Sequence, residues 1–310
     1  MTDWRRVLNL VTNPAVNTAA DFVELAGFIA AIDPEIAVFL LPDTTDAELD
    51  ANVPDLPTLT VSPAPARKLR PRRGPLLMGQ HVAKSVEYTA LEAHGIPVPR
   101  WQRLLPGKTP ELREFAEHVV TKPDFGARGA DVRVERRDVV EWTPPRTELA
   151  ERFGGHFNPR IVQEFVYTGR WPQSHRVATL FGTALFGLKI EAGHQRAPLS
   201  DRRSFHGQSV VSSGRGCSFE LSSDPEMIGL AERAHAAFPQ VPLLGVDILR
   251  DADTGQLFVI ELNSIGYTWH FSSPSGLKLQ AEFGLDLDRQ LDGRRRAAES
   301  LAKACRLYAR

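Results

Sequence analysis

Two carboxylates and an amide on neighbouring apolar runs form the pattern with the clearest chemical meaning in this sequence. Glu261 and Asn263 stand two residues apart, so on a strand both side chains project from one face. Asp247, in the apolar run 245–249, faces the same way if the two runs pair as a hairpin. Such an all-oxygen set suits Mg²⁺, with phosphate oxygens and water completing its coordination. The alternative is an edge strand whose acids face solvent.

A lysine followed by a glycine-containing loop is the second pattern. Lys122 ends an apolar run, and Gly126, Arg128 and Gly129 follow it. Glycines let the backbone approach phosphate closely, and lysine adds a point charge. No Gly-Lys-Ser/Thr follows, so the segment is not a Walker A loop. On its own it is also consistent with a long hairpin turn.

A third pattern joins a strand end to a downstream arginine. The run 161–166 ends in Gln163-Glu-Phe-Val166, whose backbone N–H and C=O groups could face a flat heterocycle. Arg176 follows next to another apolar run and could reach an oxyanion. Many strands end this way, so the pattern gains meaning only beside the other two.

The elements that must position these residues begin with a small parallel sheet. Runs of strand length alternate with a helix that Asn17-Thr18 can cap and that Pro34 ends. A β-α-β order of this kind predicts parallel strands. The segments are strand-like runs at Val7–Val11, Ile36–Leu41 and Thr58–Val61, and a helix from Ala19 to about Ile32.

The later elements predict antiparallel strands that carry the candidate residues. A helix from about His81 to His94 is followed by Gly95 and two prolines, which stop it. Turn residues at Gly182-Thr183 and 251–255 predict two hairpins in the second half. The predicted strands are 119–122, 131–134, 161–166, 177–181, 184–190, 245–249 and 257–263, with helices near 225–238 and 288–308.

Residues 62–75 differ in composition from their surroundings. Four prolines interleave with five basic residues, Arg67, Lys68, Arg70, Arg72 and Arg73. We interpret the segment as a linker between two lobes. A solvated basic loop is the simplest account of its charge, and a surface that attracts an anionic substrate is the alternative.

Composition and charge exclude several classes of protein. The 310 residues are 42% apolar, and 37 Lys and Arg balance 38 Asp and Glu to a net charge of −1. This argues against disorder and against nucleic-acid binding by bulk charge. The two cysteines, Cys217 and Cys305, are far apart, so neither a disulfide framework nor a structural zinc site is expected. With no signal-like or membrane-spanning segment, we expect a soluble, cytoplasmic protein with no membrane partner.

Together, the three patterns resemble the ATP-grasp superfamily of the carboxylate–amine/thiol ligase type. The resemblance covers about residues 80–271, and its most specific part is the pair of runs 245–249 and 259–263. The other matching segments are Lys84 with Gly95-Ile-Pro-Val-Pro99, the loop after Lys122, residues 163–166, Arg176 and Lys189. Glutathione synthetases, D-alanine–D-alanine ligases and ribosomal-protein glutamate ligases end their nucleotide sites on such a hairpin. The resemblance implies an α/β (α+β) fold in which two α+β subdomains clasp a nucleotide, preceded by a small parallel α/β lobe.

The resemblance divides the chain into three predicted parts. Residues 1–75 form the N-terminal lobe with its basic, proline-rich linker. Residues 76–166 form the first ATP-grasp subdomain, and 167–310 form the second, with the metal hairpin and a C-terminal helix. A homodimer is the assembly expected for such a protein.

The resemblance also implies a role for each matching residue. ATP would be bound by Lys84, Lys122, Gly126, Arg128, Gly129, Gln163, Glu164, Phe165, Val166 and Lys189. One or two Mg²⁺ ions, or Mn²⁺ in their place, would be held by Asp247, Glu261 and Asn263. Arg176 and Lys122 would be the catalytic residues, with Arg176 stabilising the transferred phosphoryl group. We expect the cations and the acids to be separated across one cleft.

One departure from the family pattern concerns the ribose. Such ligases carry an acidic residue a few positions after the adenine-binding strand, whereas 167–190 contains no Asp or Glu. Thr168 stands near that place, so the hydroxyl and the backbone, or another residue, would have to recognise the ribose.

The activity implied is an ATP- and Mg²⁺-dependent, ADP-forming ligation of a carboxylate to an amine, of amino-acid or peptide type. A kinase that phosphorylates a small molecule and a non-catalytic nucleotide-binding regulatory module are the alternatives. The sequence names neither the acid nor the nucleophile, which could be small molecules or a peptide. Candidate substrate contacts are Arg202, Arg203, Arg215 and His270.

Overall fold

The computed structural model describes residues 3–43, 53–126, 129–144, 159–196, 198, 205–206 and 216–310. Over these ranges the chain forms three β-sheets with helices packed against them. The first sheet is parallel, and the other two are antiparallel. This is the layered α/β architecture that the sequence predicts.

The first sheet contains four parallel strands in the order β2-β1-β3-β4. Helix α1 (Ala19–Ile32) begins where the Thr18 hydroxyl accepts a hydrogen bond from the N–H of Asp21. Such a side-chain cap satisfies one of the free N–H groups at a helix start. The strands are β1 (Arg6–Thr12), β2 (Ile36–Pro42), β3 (Thr58–Ser62) and β4 (Leu76–Met78).

The basic, proline-rich segment 62–75 lies within this first sheet. It connects β3 to β4, which pair directly as parallel neighbours, so it does not join two lobes as the linker interpretation requires. Ala66 and Leu69 are buried against Val11, and they anchor the segment to the sheet. Two apolar residues hidden among prolines and arginines are a weak pattern, which explains why the sequence indicated a linker.

The second sheet has five antiparallel strands in the order β11-β7-β6-β8-β5. Helix α2 (Lys84–Ala93) precedes it, and a short 3₁₀ turn (Arg137–Val139) follows β7. The predicted strands 119–122, 131–134 and 161–166 correspond to β6, β7 and β8. The full set is β5 (Trp101–Leu104), β6 (His118–Pro123), β7 (Arg133–Arg136), β8 (Arg160–Glu164) and β11 (Phe205–His206).

The third sheet has the order β12-β10-β9-β13-β14 and contains both predicted hairpins. Helix α3 (Pro225–His235) begins at Asp224, whose carboxylate accepts from two backbone N–H groups. Residues from α3 and one face of the sheet share a buried cluster that includes Leu230, Val246 and Ile248. The strands are β9 (Gln173–Leu180), β10 (Thr183–Ala192), β12 (Cys217–Leu221), β13 (Leu243–Arg250) and β14 (Leu257–Asn263).

Three helices end the chain: α4 (Pro274–Phe283), α5 (Leu287–Leu291) and α6 (Gly293–Tyr308). The sequence predicts one helix from about 288, whereas Asp292 has φ +55°, and this left-handed residue separates α5 from α6. Residues of α6 share the largest core cluster with the first and third sheets. Within the described ranges, no helix is long and apolar enough to cross a membrane.

Candidate active site

The candidate residues of the last hairpin project from one face of the third sheet. Asp247 of β13 lies directly opposite Glu261 of β14, and Gly245 lies opposite Asn263. Directly opposed residues on paired strands share a face. The register shifts by one residue just after Asp247, and the pairing from 245 to 247 stays regular. Two carboxylates and one amide therefore converge where the second and third sheets meet.

Asp247 is held by two neighbours. The guanidinium of Arg176 on β9 donates from Nε to Oδ1 at 2.6 Å and from Nη2 to Oδ2 at 2.7 Å. Asn263 Nδ2 also donates to Oδ2, at 2.9 Å. A two-point arginine–carboxylate contact fixes both distance and angle. The hairpin and the neighbouring strand thus preset the direction of the carboxylate.

Glu261 is paired with the first residue of helix α2. Lys84 Nζ lies 2.9 Å from Glu261 Oε1 and donates to the carbonyl of Gly126 at 3.3 Å. Burial acts to raise the pKa of Glu261, but the nearby Lys84 and Lys122 outweigh it and the net shift is downward. The carboxylate is therefore ionised at neutral pH and available to a cation.

Lys122, at the end of β6, is buried and turned inward. Its Nζ donates to the hydroxyl of Tyr88 and to the carbonyl of Ile260, both at 3.0 Å. Burial lowers its pKa to about 8, partly offset by attraction to Glu261. The ammonium stands within the same group of charges as Lys84 and Glu261.

The cations and the acids are in direct contact, not on opposite sides of a cleft as expected from sequence. Lys84 pairs with Glu261, and Arg176 pairs with Asp247. The physical reason is the cost of burying an unpaired charge, which adjacent charges of opposite sign reduce. An incoming anion and its metal ion would have to exchange partners with these pairs.

The glycine-containing loop is tied to α2 by Asp124. This buried carboxylate accepts from the N–H of Ser85 at 2.7 Å and from its hydroxyl at 2.8 Å. The carbonyl of Asp124 accepts from the N–H of Lys84 at 3.0 Å. Ala83, at the N-cap, makes no side-chain hydrogen bond. Asp124 therefore caps α2 from another part of the chain and fixes Lys84 relative to the loop.

The donor set of the hairpin fits Mg²⁺. It offers two carboxylates and one amide, hard oxygen donors of the kind that Mg²⁺ shares with phosphate and water. In the part of the chain that the structure describes, no group of three His, Cys, Asp and Glu side chains converges, and the amide of Asn263 would be the third donor. The ligand role of these residues remains a prediction.

Solved structures with the same architecture align with nearly the whole length of this chain. D-cycloserine synthetase DcsG is 19% identical, with 96% of this chain and 99% of that one covered at a TM-score of 0.52. The ATP-grasp ligase PsnB, complexed with minimal precursor, Mg and ADP, is 15% identical, with 96% and 98% covered at 0.50. This chain has the ATP-grasp fold.

A D-alanine–D-alanine ligase from Bacillus anthracis also aligns with the ATP-grasp fold of this chain, at 13% identity, 97% and 99% coverage and a TM-score of 0.46. No protein-family model and no curated protein sequence matches the chain. At 19% and 15% identity, the likeness to DcsG and PsnB establishes the fold alone, which confirms the fold class expected from sequence.

Within the ATP-grasp fold, the predicted adenine-binding segment lies at the end of β8. The amide of Gln163 faces the group formed by Lys122 and Tyr88, since its Oε1 accepts a hydrogen bond from the Tyr88 hydroxyl at 2.6 Å. Glu164 faces away from that group, and its carboxylate accepts from the N–H of Ala116 at 3.3 Å. The guanidinium of Arg196 lies 4.7 Å from the ring centre of Phe165, and Val166 is buried.

Lys189 is not brought together with the other cations. On β10 it lies opposite His175 of β9, whereas the preceding residue, Leu188, lies opposite Arg176. Lys189 therefore projects from the other face of the third sheet, where its Nζ is 3.5 Å from Glu191 and 4.0 Å from Glu220. Its predicted nucleotide contact has no support in this geometry.

His270 lies near Arg176 in a buried position. Its ring stacks on Phe186 at 5.9 Å. Burial, and to a smaller extent the positive charge of Arg176, lower the pKa of His270 to about 4. Of the remaining predicted contacts, Gly126 and Gly129 flank the loop, and Arg128, Arg202, Arg203 and Arg215 lie outside the described residues.

Three polar residues of the site were not identified from the sequence: Glu87, Tyr88 and Asp124. Glu87 is buried and accepts from the N–H of Leu262 at 3.2 Å, and burial raises its pKa to about 8. The sequence contains a signal for Glu87 and Tyr88, because they stand three and four residues after Lys84 and so share its helix face.

Proposed function

We propose that this protein is an ATP- and Mg²⁺-dependent, ADP-forming ligase that joins a carboxylate to an amine of amino-acid or peptide type. The observation that carries the proposal is the group formed by Lys84, Lys122 and Arg176 with Asp247 and Glu261, within an ATP-grasp fold. PsnB, which has this fold, is described as an ATP-grasp ligase complexed with Mg and ADP.

The chemistry of the residues supports phosphoryl transfer. A carboxylate is a poor electrophile. Phosphorylation by ATP releases ADP and converts the carboxylate to an acyl phosphate, and attack of an amine on its acyl carbon then forms the amide and releases phosphate. Catalysis of such a transfer depends on positioning and on neutralising charge at the phosphoryl group. Mg²⁺, when bound by Asp247, Glu261 and Asn263, would supply charge neutralisation between the phosphates.

The protein side chains would supply the remaining positive charge. Lys84 and Lys122 would contact the phosphates, and Arg176 would stabilise the transferred phosphoryl group. Asp247 aligns Arg176 before any ligand arrives, so Arg176 would start from a fixed position when it exchanges part of this pairing for the phosphoryl group. Gly126 and Gly129 would let the loop backbone approach the phosphates, and a closed loop would shield the acyl phosphate from water.

The test is ADP release with a panel of amino acids, dipeptides and other small carboxylates, each with and without hydroxylamine. A ligase that activates a carboxylate gives a hydroxamate with its substrate, because hydroxylamine captures the acyl phosphate. ADP release with a carboxylate that never yields hydroxamate would refute the ligase and favour a kinase. The Glu261→Gln variant is the control, since it keeps the shape of the side chain and removes its charge.

A further inference from the structure

The hydroxyl of Tyr88 lies where α2 meets the second and third sheets. The side chain is 0% exposed. Its oxygen is 3.0 Å from Lys122 Nζ, 2.6 Å from Gln163 Oε1 and 2.8 Å from the carbonyl of Ile260. These partners belong to β6, β8 and β14, so a single hydroxyl group contacts both antiparallel sheets of the fold.

The donor count and the distances together assign the direction of these hydrogen bonds. An ammonium only donates, so Lys122 donates to the Tyr88 oxygen. Tyr88 has one proton, which goes to Gln163 Oε1, the shorter of its two remaining contacts. The carbonyl of Ile260 then accepts from Lys122. Burial raises the pKa of Tyr88, so the hydroxyl keeps the proton that it donates.

Two of the three N–H groups of Lys122 are thereby directed to protein acceptors. A lysine side chain has a flexible four-carbon stem, and its ammonium can otherwise take many orientations. With two N–H directions fixed by Tyr88 and Ile260, the third direction is fixed as well. Gln163 holds the Tyr88 hydroxyl in turn, so the arrangement depends on contacts from both sheets.

We propose that Tyr88 is a positioning residue that directs the third N–H of Lys122 toward the anionic ligand of the site. The identity of that ligand as a triphosphate rests on the proposed function. The positioning itself rests on the contacts of the Tyr88 hydroxyl, so the two can be tested separately.

The first experiment measures the affinity of the full-length protein for ATP with Mg²⁺ by calorimetry. Tyr88→Phe removes only the hydroxyl, and we expect about 10-fold weaker binding, the effect of one lost hydrogen bond to a charged group. Tyr308→Phe, which removes a hydroxyl on α6, is the matched control and should stay within about twofold of wild type.

A double-mutant cycle shows whether Tyr88 acts through Lys122. In a Lys122→Met background, we expect Tyr88→Phe to change the affinity by less than about twofold, because the group that it positions is gone. The same 10-fold loss in both backgrounds would overturn the proposal. Thermal unfolding of each variant is recorded in parallel, since a merely structural role would lower stability equally with and without Lys122.

A second measurement does not depend on nucleotide. Acetylation of Lys122 by acetic anhydride, followed by mass spectrometry, should be at least about threefold faster in Tyr88→Phe, since the amine loses an acceptor that holds it. The exposed Lys303 on α6 should react equally in both proteins. Unchanged labelling at Lys122 overturns the proposal. Wild-type protein that binds no ATP refutes the proposed function instead, and labelling alone then decides the role of Tyr88.

Discussion

Arg176 and Asp247 lie opposite each other on neighbouring strands and form a two-point ion pair at 2.6 and 2.7 Å. Both side chains are largely buried, with 15% and 13% of their surfaces exposed. Burial acts to lower the pKa of Arg176, and attraction to Asp247 outweighs it, so the net shift is upward. The pair links the proposed catalytic arginine to a proposed metal ligand, so we expect both stability and the proposed activity to depend on it.

Replacing the residues of this pair should separate its contribution to stability from its contribution to activity. We expect Arg176→Met to lower the free energy of unfolding by about 3 kcal/mol, because Asp247 is left without its main partner. The double variant Arg176→Met, Asp247→Leu should recover most of that loss, since an apolar pair avoids the cost of desolvating charges. Neither protein should turn over ATP. Urea unfolding and ADP release measure the two effects, and a double variant with restored turnover would contradict the roles assigned to both residues.

The two lysines Lys84 and Lys189 should differ sharply when each is replaced by methionine. Lys84→Met should lower kcat/KM for ATP by about 100-fold or more, because a buried cation beside Glu261 is lost. Lys189→Met should change it by less than about threefold, because Lys189 projects from the opposite face of the sheet. Steady-state kinetics at fixed Mg²⁺ measure both. Equal losses of kcat/KM in the two variants would show that the nucleotide reaches the face of the third sheet that carries Lys189.

The convergence of Asp247, Glu261 and Asn263 could be predicted because strand geometry leaves little freedom. Once two runs pair, residues two apart share a face, so Glu261 and Asn263 must project together, and Asp247 joins them in the observed register. The same alternation shows why Lys189 could not be assigned reliably. A shift of one residue moves a side chain to the other face, and the sequence does not fix the register of β10 against β9.

Tyr88 and Asp124 could not be assigned because their roles depend on distant partners. On sequence alone, Tyr88 is another large residue on the buried face of a helix. The proposed role of its hydroxyl depends on Lys122 and Gln163, which lie 34 and 75 positions away in the chain. Asp124 follows a strand, and nothing local indicates that it caps a helix 39 residues earlier. Such contacts are set by tertiary packing.

The burial of His235 predicts how the free energy of unfolding depends on pH. His235 is 1% exposed, and burial lowers its pKa to about 4 from the ordinary 6.5. The folded state therefore favours the neutral ring, so this stability is fully present above pH 6.5 and is lost as pH falls toward 4. The loss amounts to as much as about 3 kcal/mol for a shift of this size. Urea unfolding at pH 7, 5.5 and 4.5 measures it.

Two variants separate this effect from other acid-sensitive groups. His235→Gln should flatten the part of the pH dependence that belongs to His235, although it also lowers stability at pH 7 because Thr179 and the carbonyl of Val241 lose a partner. His94→Gln, at an exposed position, is the control for the substitution itself. An unaltered slope in His235→Gln would mean that the ring is not the titrating group.

Capping of α2 by Asp124 should be visible as a loss of stability that reaches the site. We expect Asp124→Ala to lower the free energy of unfolding by about 1 to 2 kcal/mol, the usual cost of removing a helix cap. Asp124→Asn should cost less, because its amide oxygen can still accept from the N–H of Ser85. Since the cap also fixes Lys84 beside Gly126, Asp124→Ala should raise the KM for ATP more than Asp124→Asn does. Thermal unfolding and kinetics on the same preparations test this, and a stable Asp124→Ala protein with an unchanged KM would show that Lys84 is positioned by other contacts.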